Sequence, residues 1–401
     1  MTSLQHTKPK LTPEATAAFF RHFINVKETK SLSKEKRTFR VMMVSNNFCR
    51  AAQKVFCISK VTAYMNSANS KEPNDWTLEG FSGAILNEPT ALVVLKLTVP
   101  KITSFVAYQF KKTAKKINPA IMPYLAGISN YIIQNNVYPP KYSMELLKKL
   151  SSSGKLKKLE CEPRLLVGLK PLSIDQYFTS FTIDDAPIDM DTILRHKFRQ
   201  IHLQMMPLRL QNEIYGPPQS TMVSFNNSDV VQPSIEEIYL ENKVDQRFQS
   251  PPSLLPLNFY QHVPNSKKVF YSAHQTALKP RDSSRTSELY KLVNYIYQLF
   301  KHVKQALQRG SKAQFVFALS TRAFLNKNQS DKEWFNELAR SSVFVDTKCQ
   351  VLSELEMSKD PDFQATPAYR ELKCQDENTA MICCGQNVKL FLWAAFERYS
   401  Q

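Results

Sequence analysis

Glycine is scarce in this 401-residue chain: eight residues, with Gly80 and Gly83 the closest pair, or about 2% where ordinary usage is roughly 7%. Loops that cradle phosphates or expose a nucleophile at a sharp turn need several glycines close together, because only a residue without Cβ lets the backbone approach a ligand at positive φ. No GxGxxG, GxxxxGK(S/T) or GxSxG string occurs, which argues against dinucleotide enzymes, P-loop NTPases and α/β-hydrolases. Long apolar runs are missing too. No stretch of eighteen apolar residues exists and MTSLQHTKPKLTPE has no apolar leader, so the expected location is the nucleus, the cytosol or a virion, with no secretion and no membrane contact. The cysteines number seven, an odd count, at 49, 57, 161, 349, 374, 383 and 384. They form no CxxC and no disulfide framework, which fits a reducing compartment.

Positive charge is abundant. Lys and Arg outnumber Asp and Glu by 53 to 35, a formal charge of +18, and a polyanion is the simplest partner for such a surplus. The charge is in blocks: 12 basic against 3 acidic side chains in residues 1–60, 11 against 2 in 101–160, and 12 against 2 in 251–330, with mildly acidic stretches between. Content that is 43% hydrophobic is enough to fill the cores of two ordinary domains.

Local patterns predict the elements. A helix is expected over 12–25, then strands in RTFRVMMVS, KVFCISKVTAYM, FSGAIL, ALVVLKLTV and ITSFVAYQF, all β-branched or aromatic runs bounded by turn residues. They suggest an antiparallel meander or barrel. With Trp76, then Gly80 and Gly83 opening a strand, it is similar in strand count to pleckstrin-like and EVH1 domains. Further on, Asn118-Pro119 opens a helical pattern over NPAIMPYLAGISNYIIQNN. A helix from Ser143 to Leu150 stops at Gly154, CEPRLLVGLKPL reads as a strand, and a helix is expected from Thr192 to Met206. Leu289, Leu292, Val293, Ile296, Leu299, Phe300, Val303 and Leu307 recur at helical spacing up to Gly310. AQFVFALS reads as a strand, Ser330 and Glu333 as a capping box, SSVFVDTKCQVL as a strand, and NVKLFLWAAFERY as a buried closing element. The class expected is α+β: an N-terminal mainly antiparallel β domain (1–115), a helical, mixed part (116–214), a Pro/Ser/Asn-rich connection (215–267) and a C-terminal α/β portion (268–401).

Candidate chemistry is thin. Asp184, Asp185, Asp189 and Asp191 cluster in FTIDDAPIDMD. Asp189 and Asp191, two apart on a strand, could hold Mg²⁺ for a nucleotide-processing enzyme, but capping of the following helix by Asp191 explains the cluster more simply. His196 and His202 are six apart, not the three or four a helical zinc site wants, and Cys383-Cys384 read as buried inert thiols. No cofactor is expected and a non-enzymatic role is favoured.

The basic blocks are the stronger signal. Lys111, Lys112, Lys115 and Lys116 would form one stripe on a helix. Lys148, Lys149, Lys155, Lys157 and Lys158 surround a helix end, and Lys267, Lys268, Lys279, Arg281 and Arg285 lead into the long helix that carries Lys291, Lys301, Lys304 and Arg309. Phe270, Tyr271, Tyr290 and Tyr297 are interleaved as a stacking platform for single strands would require. Lysine predominates, so backbone contact is expected over base reading. The favoured function is a nucleic-acid-binding protein, DNA or RNA, with little sequence preference: a packaging protein or a subunit of a transcription or replication assembly. The alternative is a scaffold for acidic protein partners, with YGPPQ and SPPSLLP as ligand segments.

Overall fold

A computed structural model describes residues 60–65, 76–80, 84–86, 103–109, 119–134, 141–179, 188–205, 223–225, 229–242, 254–274, 285–325, 328–370 and 378–398, with Ala15, Pro252 and Leu372. The chain divides into two compact units, 1–159 and 160–401. Apart from Ala15, the expected helix 12–25 lies outside the described residues, as do RTFRVMMVS and ALVVLKLTV.

In the first unit β1 (Lys60–Met65), β2 (Trp76–Gly80) and β3 (Ala84–Leu86) pair in antiparallel fashion. On its other side β1 pairs in parallel with β4 (Ser104–Gln109), and β4 in parallel with β5 (Asn130–Gln134). This overturns the expected antiparallel meander or barrel, and the pleckstrin-like similarity with it. The segment between Met65 and Ser104 exceeds the dozen or so residues that a parallel crossover needs. The helix expected from Asn118 is a 3-10 helix, Pro119–Gly127, followed by β5. Pro123 inside it lacks the N–H an α-helix would use, while Tyr131 and Ile133 are buried on β5, Tyr131 against Phe105 of β4 at 5.7 Å. Helix α1 (Lys141–Ser152) buries Leu146, Leu147 and Leu150. Its end is closed by Ser151, Ser152 and Ser153, whose hydroxyls donate to the carbonyls of Lys148, Lys149 and Leu150, and by Gly154 at φ 65°. Strand β6 (Lys158–Glu160) spans the unit boundary.

The second unit is built on β7 (Ser173–Phe178), β9 (Lys197–Met205), β11 (Glu237–Asn242), β12 (Lys268–His274), β13 (Gln314–Leu325) and β16 (Val388–Arg398), with β8 (Ile188–Asp189) and β10 (Val223–Ser224) as a separate parallel pair. The six strands are parallel, and each lies beside the one before it in the list. Two antiparallel strands, β15 (Thr379–Gly385) and β14 (Lys348–Ser353), complete the edge beyond β16. The connections carry α2 (Met190–Leu194), α3 (Phe259–His262), α4 (Arg285–Gln308), α5 (Asp331–Ala339), α6 (Glu354–Ser358) and α7 (Pro361–Ala365).

The expected helical middle is thus wrong as well. The helix read over Thr192–Met206 is α2 alone, and its remainder is β9, hydrogen-bonded on both sides. CEPRLLVGLKPL holds a short 3-10 helix, Pro163–Leu166, in place of a strand. The observed architecture is a mixed, mainly parallel sheet with few helices, in place of an antiparallel barrel joined to a helical middle.

One face of the second unit's sheet carries Ile201, Leu203, Ile238, Leu240, Val269, Tyr271, Phe315, Phe317 and Leu390, all buried. Against it pack α4 and α3, through the hydroxyl pair of Tyr271 and Tyr295 at 2.5 Å and ring contacts of Phe317 with Phe300 and of Phe315 with Tyr260. His302 of α4 faces this layer, its Nε2 3.2 Å from the Tyr260 hydroxyl, and burial pushes its pKa down to about 4. Neutral His302 is the form the fold accepts. Stability should therefore be fully present above the ordinary histidine value near 6.5 and fall as pH drops from there toward 4, by on the order of 3 kcal/mol. Urea midpoints between pH 7 and pH 4 should show this fall, and His302→Gln should flatten it.

Candidate nucleic-acid interface

Helix α4 is amphipathic by sequence, and its two sides separate in the structure. Leu292, Tyr295, Ile296, Leu299, Val303 and Ala306 are buried. Tyr290, Asn294, Tyr297, Lys301, Lys304 and Gln308 are exposed, at spacings of four, three, four, three and four, which keeps them in one stripe. At about 1.5 Å per residue the stripe is about 27 Å long. Tyr290 is 71% and Tyr297 51% exposed, so two flat rings stand at one end and two ammonium groups at the other, with exposed Arg309 just beyond. Gly310 at φ 91° ends the helix. No ion pair ties Lys301, Lys304 or Arg309 to a carboxylate among the described residues.

The other expected contacts divide. Lys148 and Lys149 are exposed on α1, Lys155 and Lys157 are exposed after it, and Lys158 is half-buried; these belong to the first unit. Lys267 bonds Glu236 at 2.8 Å and Lys268 bonds Asp362 at 2.5 Å, so both are occupied by the chain's own carboxylates. Phe270 and Tyr271 are 1% and 0% exposed and cannot stack on a ligand, because β12 lies inside the sheet with one of these rings on each face. Lys111, Lys112, Lys115, Lys116, Lys279 and Arg281 lie outside the described residues, as does the side chain of Arg285.

The acidic cluster has a local explanation. Asp189, not Asp191, caps α2: its carboxylate accepts from the N–H groups of Asp191 and Thr192, at 3.0 and 3.3 Å, and from the Thr192 hydroxyl. Asp191 sits in the first turn, where negative charge suits the helix dipole, and Asp184 and Asp185 lie outside the described residues. Among the described residues no group of three His, Cys, Asp or Glu could hold a metal ion. Nor does His196 await one: it is buried and accepts the Leu172 N–H at Nδ1, 3.1 Å away. Cys383 is not the inert thiol expected, since antiparallel pairing of β14 with β15 sets it opposite Cys349, Cα to Cα 4.1 Å, and the two form a disulfide. Cys384 is exposed, and burial raises the thiol of Cys161 far above its usual range.

A largely buried row of rings escaped the sequence reading. On the sheet face turned away from α4, register puts Phe178, His202, Tyr239 and Phe270 in one row across β7, β9, β11 and β12. Their rings stack at centroid spacings of 4.0, 3.9 and 4.6 Å. Beside this row Gln176 donates to Gln200 and Gln200 to Glu237, each at 2.7 Å, and Tyr239 donates to the same Glu237 carboxylate. On the other side Gln204 donates to Glu241 at 2.8 Å. Farther along, β12, β13 and β16 are covered by α6, α7 and the turn after them: Met357, Phe363 and Ala368 join Tyr239, Phe270, Val316, Phe391 and Trp393 in one buried cluster. Lys389 holds this cover through Asp360 at 2.7 Å and Asp362 at 3.0 Å, and Lys268 joins it through Asp362. Burial alone would raise the Asp362 carboxyl, but the hydrogen bonds from Lys268 and Lys389 outweigh it and hold it below its ordinary value.

No protein-family model, curated protein or solved structure matches the chain. Among the described residues no helix is long and apolar enough to cross a membrane.

Proposed function

We propose that the chain is a non-enzymatic nucleic-acid-binding protein that holds phosphates along the exposed stripe of α4, with Tyr290 and Tyr297 stacking on unpaired bases. One arrangement supports this above all: two exposed tyrosines and two exposed lysines in line on a 24-residue helix whose other side is anchored in the core. Aromatic rings beside cations suit single strands, since every base has a π-face and every nucleotide a phosphate. Exposed Lys148, Lys149, Lys155 and Lys157 offer further phosphate contacts. Lysine contact carries little sequence information, as a packaging protein or an assembly subunit in the nucleus, the cytosol or a virion would require.

A labelled single-stranded oligonucleotide of about 30 nucleotides, titrated between about 50 and 200 mM salt, tests the reading. Affinity should fall steeply with salt. Lys301→Glu with Lys304→Glu and Arg309→Glu should lower affinity at least about tenfold and reduce the logarithmic salt slope by about two. All three side chains are exposed, so the circular dichroism should not change. No retardation at the lowest salt, or an unaltered triple variant, would end the proposal. Equal binding of polyglutamate would favour the acidic-protein scaffold instead.

A further inference from the structure

Strand β14 closes one edge of the second unit's sheet, and among the described residues β15 is its one strand partner. Along an antiparallel pair the N–H and C=O groups of successive residues turn alternately toward the neighbour and away from it. Three contacts fix that phase. Cys349 and Cys383 stand opposite each other with their Cα atoms 4.1 Å apart, the close spacing of a pair that exchanges no backbone hydrogen bonds. Ser353 N–H donates to the Glu356 carboxylate at 3.0 Å and so is not spent on β15, while Glu354 N–H donates to the Asn378 carbonyl at 2.8 Å. Lys348, Gln350 and Leu352 therefore bond to β15, and Cys349, Val351 and Ser353 turn their backbone groups outward.

Both ends of this edge are occupied. Ser353 N–H is held by Glu356, and Thr347 N–H donates to the Phe344 carbonyl at 2.9 Å. Between them Cys349 and Val351 each keep an outward donor and an outward acceptor with no backbone partner among the described residues. The edge reaches solvent, since Lys348 and Gln350 are exposed and Cys349 and Val351 part-exposed. An unpaired edge of this kind is a template for another strand.

We propose that the strand it takes is β14 of a second copy of this chain, paired antiparallel about a twofold axis through Gln350. That axis sets Cys349 of each copy opposite Val351 of the other, and the free groups then make four backbone hydrogen bonds and leave none over. Moving the axis to Val351 or to Cys349 would call on the N–H of Ser353 or Thr347, which are already bonded. Gln350 meets itself at the axis, where each amide can donate to the other's oxygen. Lys348 lies opposite Leu352, so no like charges face each other along the strand. The flanks carry a second, independent mark of a contact. Val345 is 82% and Leu355 37% exposed, two of the few large apolar side chains that the described fold leaves in solvent. Both are five residues from Gln350, so the axis that satisfies the backbone also brings Val345 of each copy toward Leu355 of the other.

Sedimentation equilibrium of the full chain, freed of nucleic acid, tests this. The contact is small and of the transient class, so a reversible dimer should be present at about 100 µM. Val351→Pro removes an outward N–H and puts a ring in the path of the second strand, while every bond from β14 to β15 stays in place. It should weaken association at least about tenfold with the circular dichroism unchanged. Should that variant fail to fold, Gln350→Lys sets like charges against each other at the axis and should weaken association by a similar factor, less so at high salt. The register is read by Gln350→Cys in a Cys384→Ser background, in which mild oxidation should give a disulfide-linked dimer. Lys348→Cys in the same background, about 13 Å from its own mate, should stay unlinked. The α4 triple variant should dimerise as the unaltered chain does, which separates this edge from the nucleic-acid stripe. A chain that stays monomeric, full association in Val351→Pro, or cross-linking from position 348 in place of 350 would each overturn the proposal.

Discussion

Phe317→Ala should destabilise the second unit by about 3–5 kcal/mol, the range for removing a fully buried phenylalanine from a core. Phe317 is 1% exposed on β13, which is paired in parallel on both sides, with β12 and β16. Its ring meets Tyr271 edge-on at 6.1 Å and Phe300 of α4 at 6.4 Å. Truncation removes these contacts and leaves a void between sheet and helix, which a strand hydrogen-bonded on both sides can close only in part. Urea unfolding should show the midpoint falling with little change in slope, and Phe317→Leu should recover most of the loss. A change below about 1 kcal/mol would mean that α4 does not rest on this strand.

Phe363→Ala should cost a similar amount, about 3–5 kcal/mol, but its first consequence should be local. Phe363 is fully buried, with Tyr369, Phe391 and Trp393 around it. It lies on α7, a five-residue helix that tertiary packing must hold in place. Without the ring, the cover is left mainly with the contacts of Asp360 and Asp362 to the lysines, part-exposed pairs that contribute far less than a buried aromatic. Amide hydrogen exchange in 354–370 should accelerate while α4 and β13 keep their protection. Uniform acceleration across the unit would show that the cover and the sheet unfold as one. The residual ion pairs are themselves pH-sensitive. Asp362 is held below its ordinary value of 3.8, so its contribution is complete above that value and is lost as pH falls through the depressed one.

Elements that depend on neighbours in sequence were legible beforehand. The periodicity of Leu292, Ile296, Leu299 and Val303, with Gly310 after it, matches α4 and its end. The capping box forms at the start of α5: Glu333 N–H donates to the Ser330 hydroxyl at 3.2 Å, and Ser330 N–H to the Glu333 carboxylate at 2.8 Å. The exposed tyrosines and lysines of α4 follow from that same periodicity. Where two local signals competed, the reading failed. KFRQIHLQM can serve as helix or strand, and pairing with β7 and β11 made it strand. DMDT offered two carboxylates for one cap, and the backbone geometry used Asp189.

From composition and spacing alone came a chain poor in phosphate-cradling glycine, rich in blocked positive charge, and carrying a long amphipathic helix with a sharp stop. These are properties of single residues and of neighbours a few positions apart, where turn geometry and helix pitch act directly. Tertiary structure decided the parallel pairing, the burial of Phe270 and Tyr271, the capture of Lys267 and Lys268 by Glu236 and Asp362, and the ring row joined by Glu237 and Glu241. Each depends on register between strands far apart in the chain, and a shift of one residue would turn every such side chain to the opposite face.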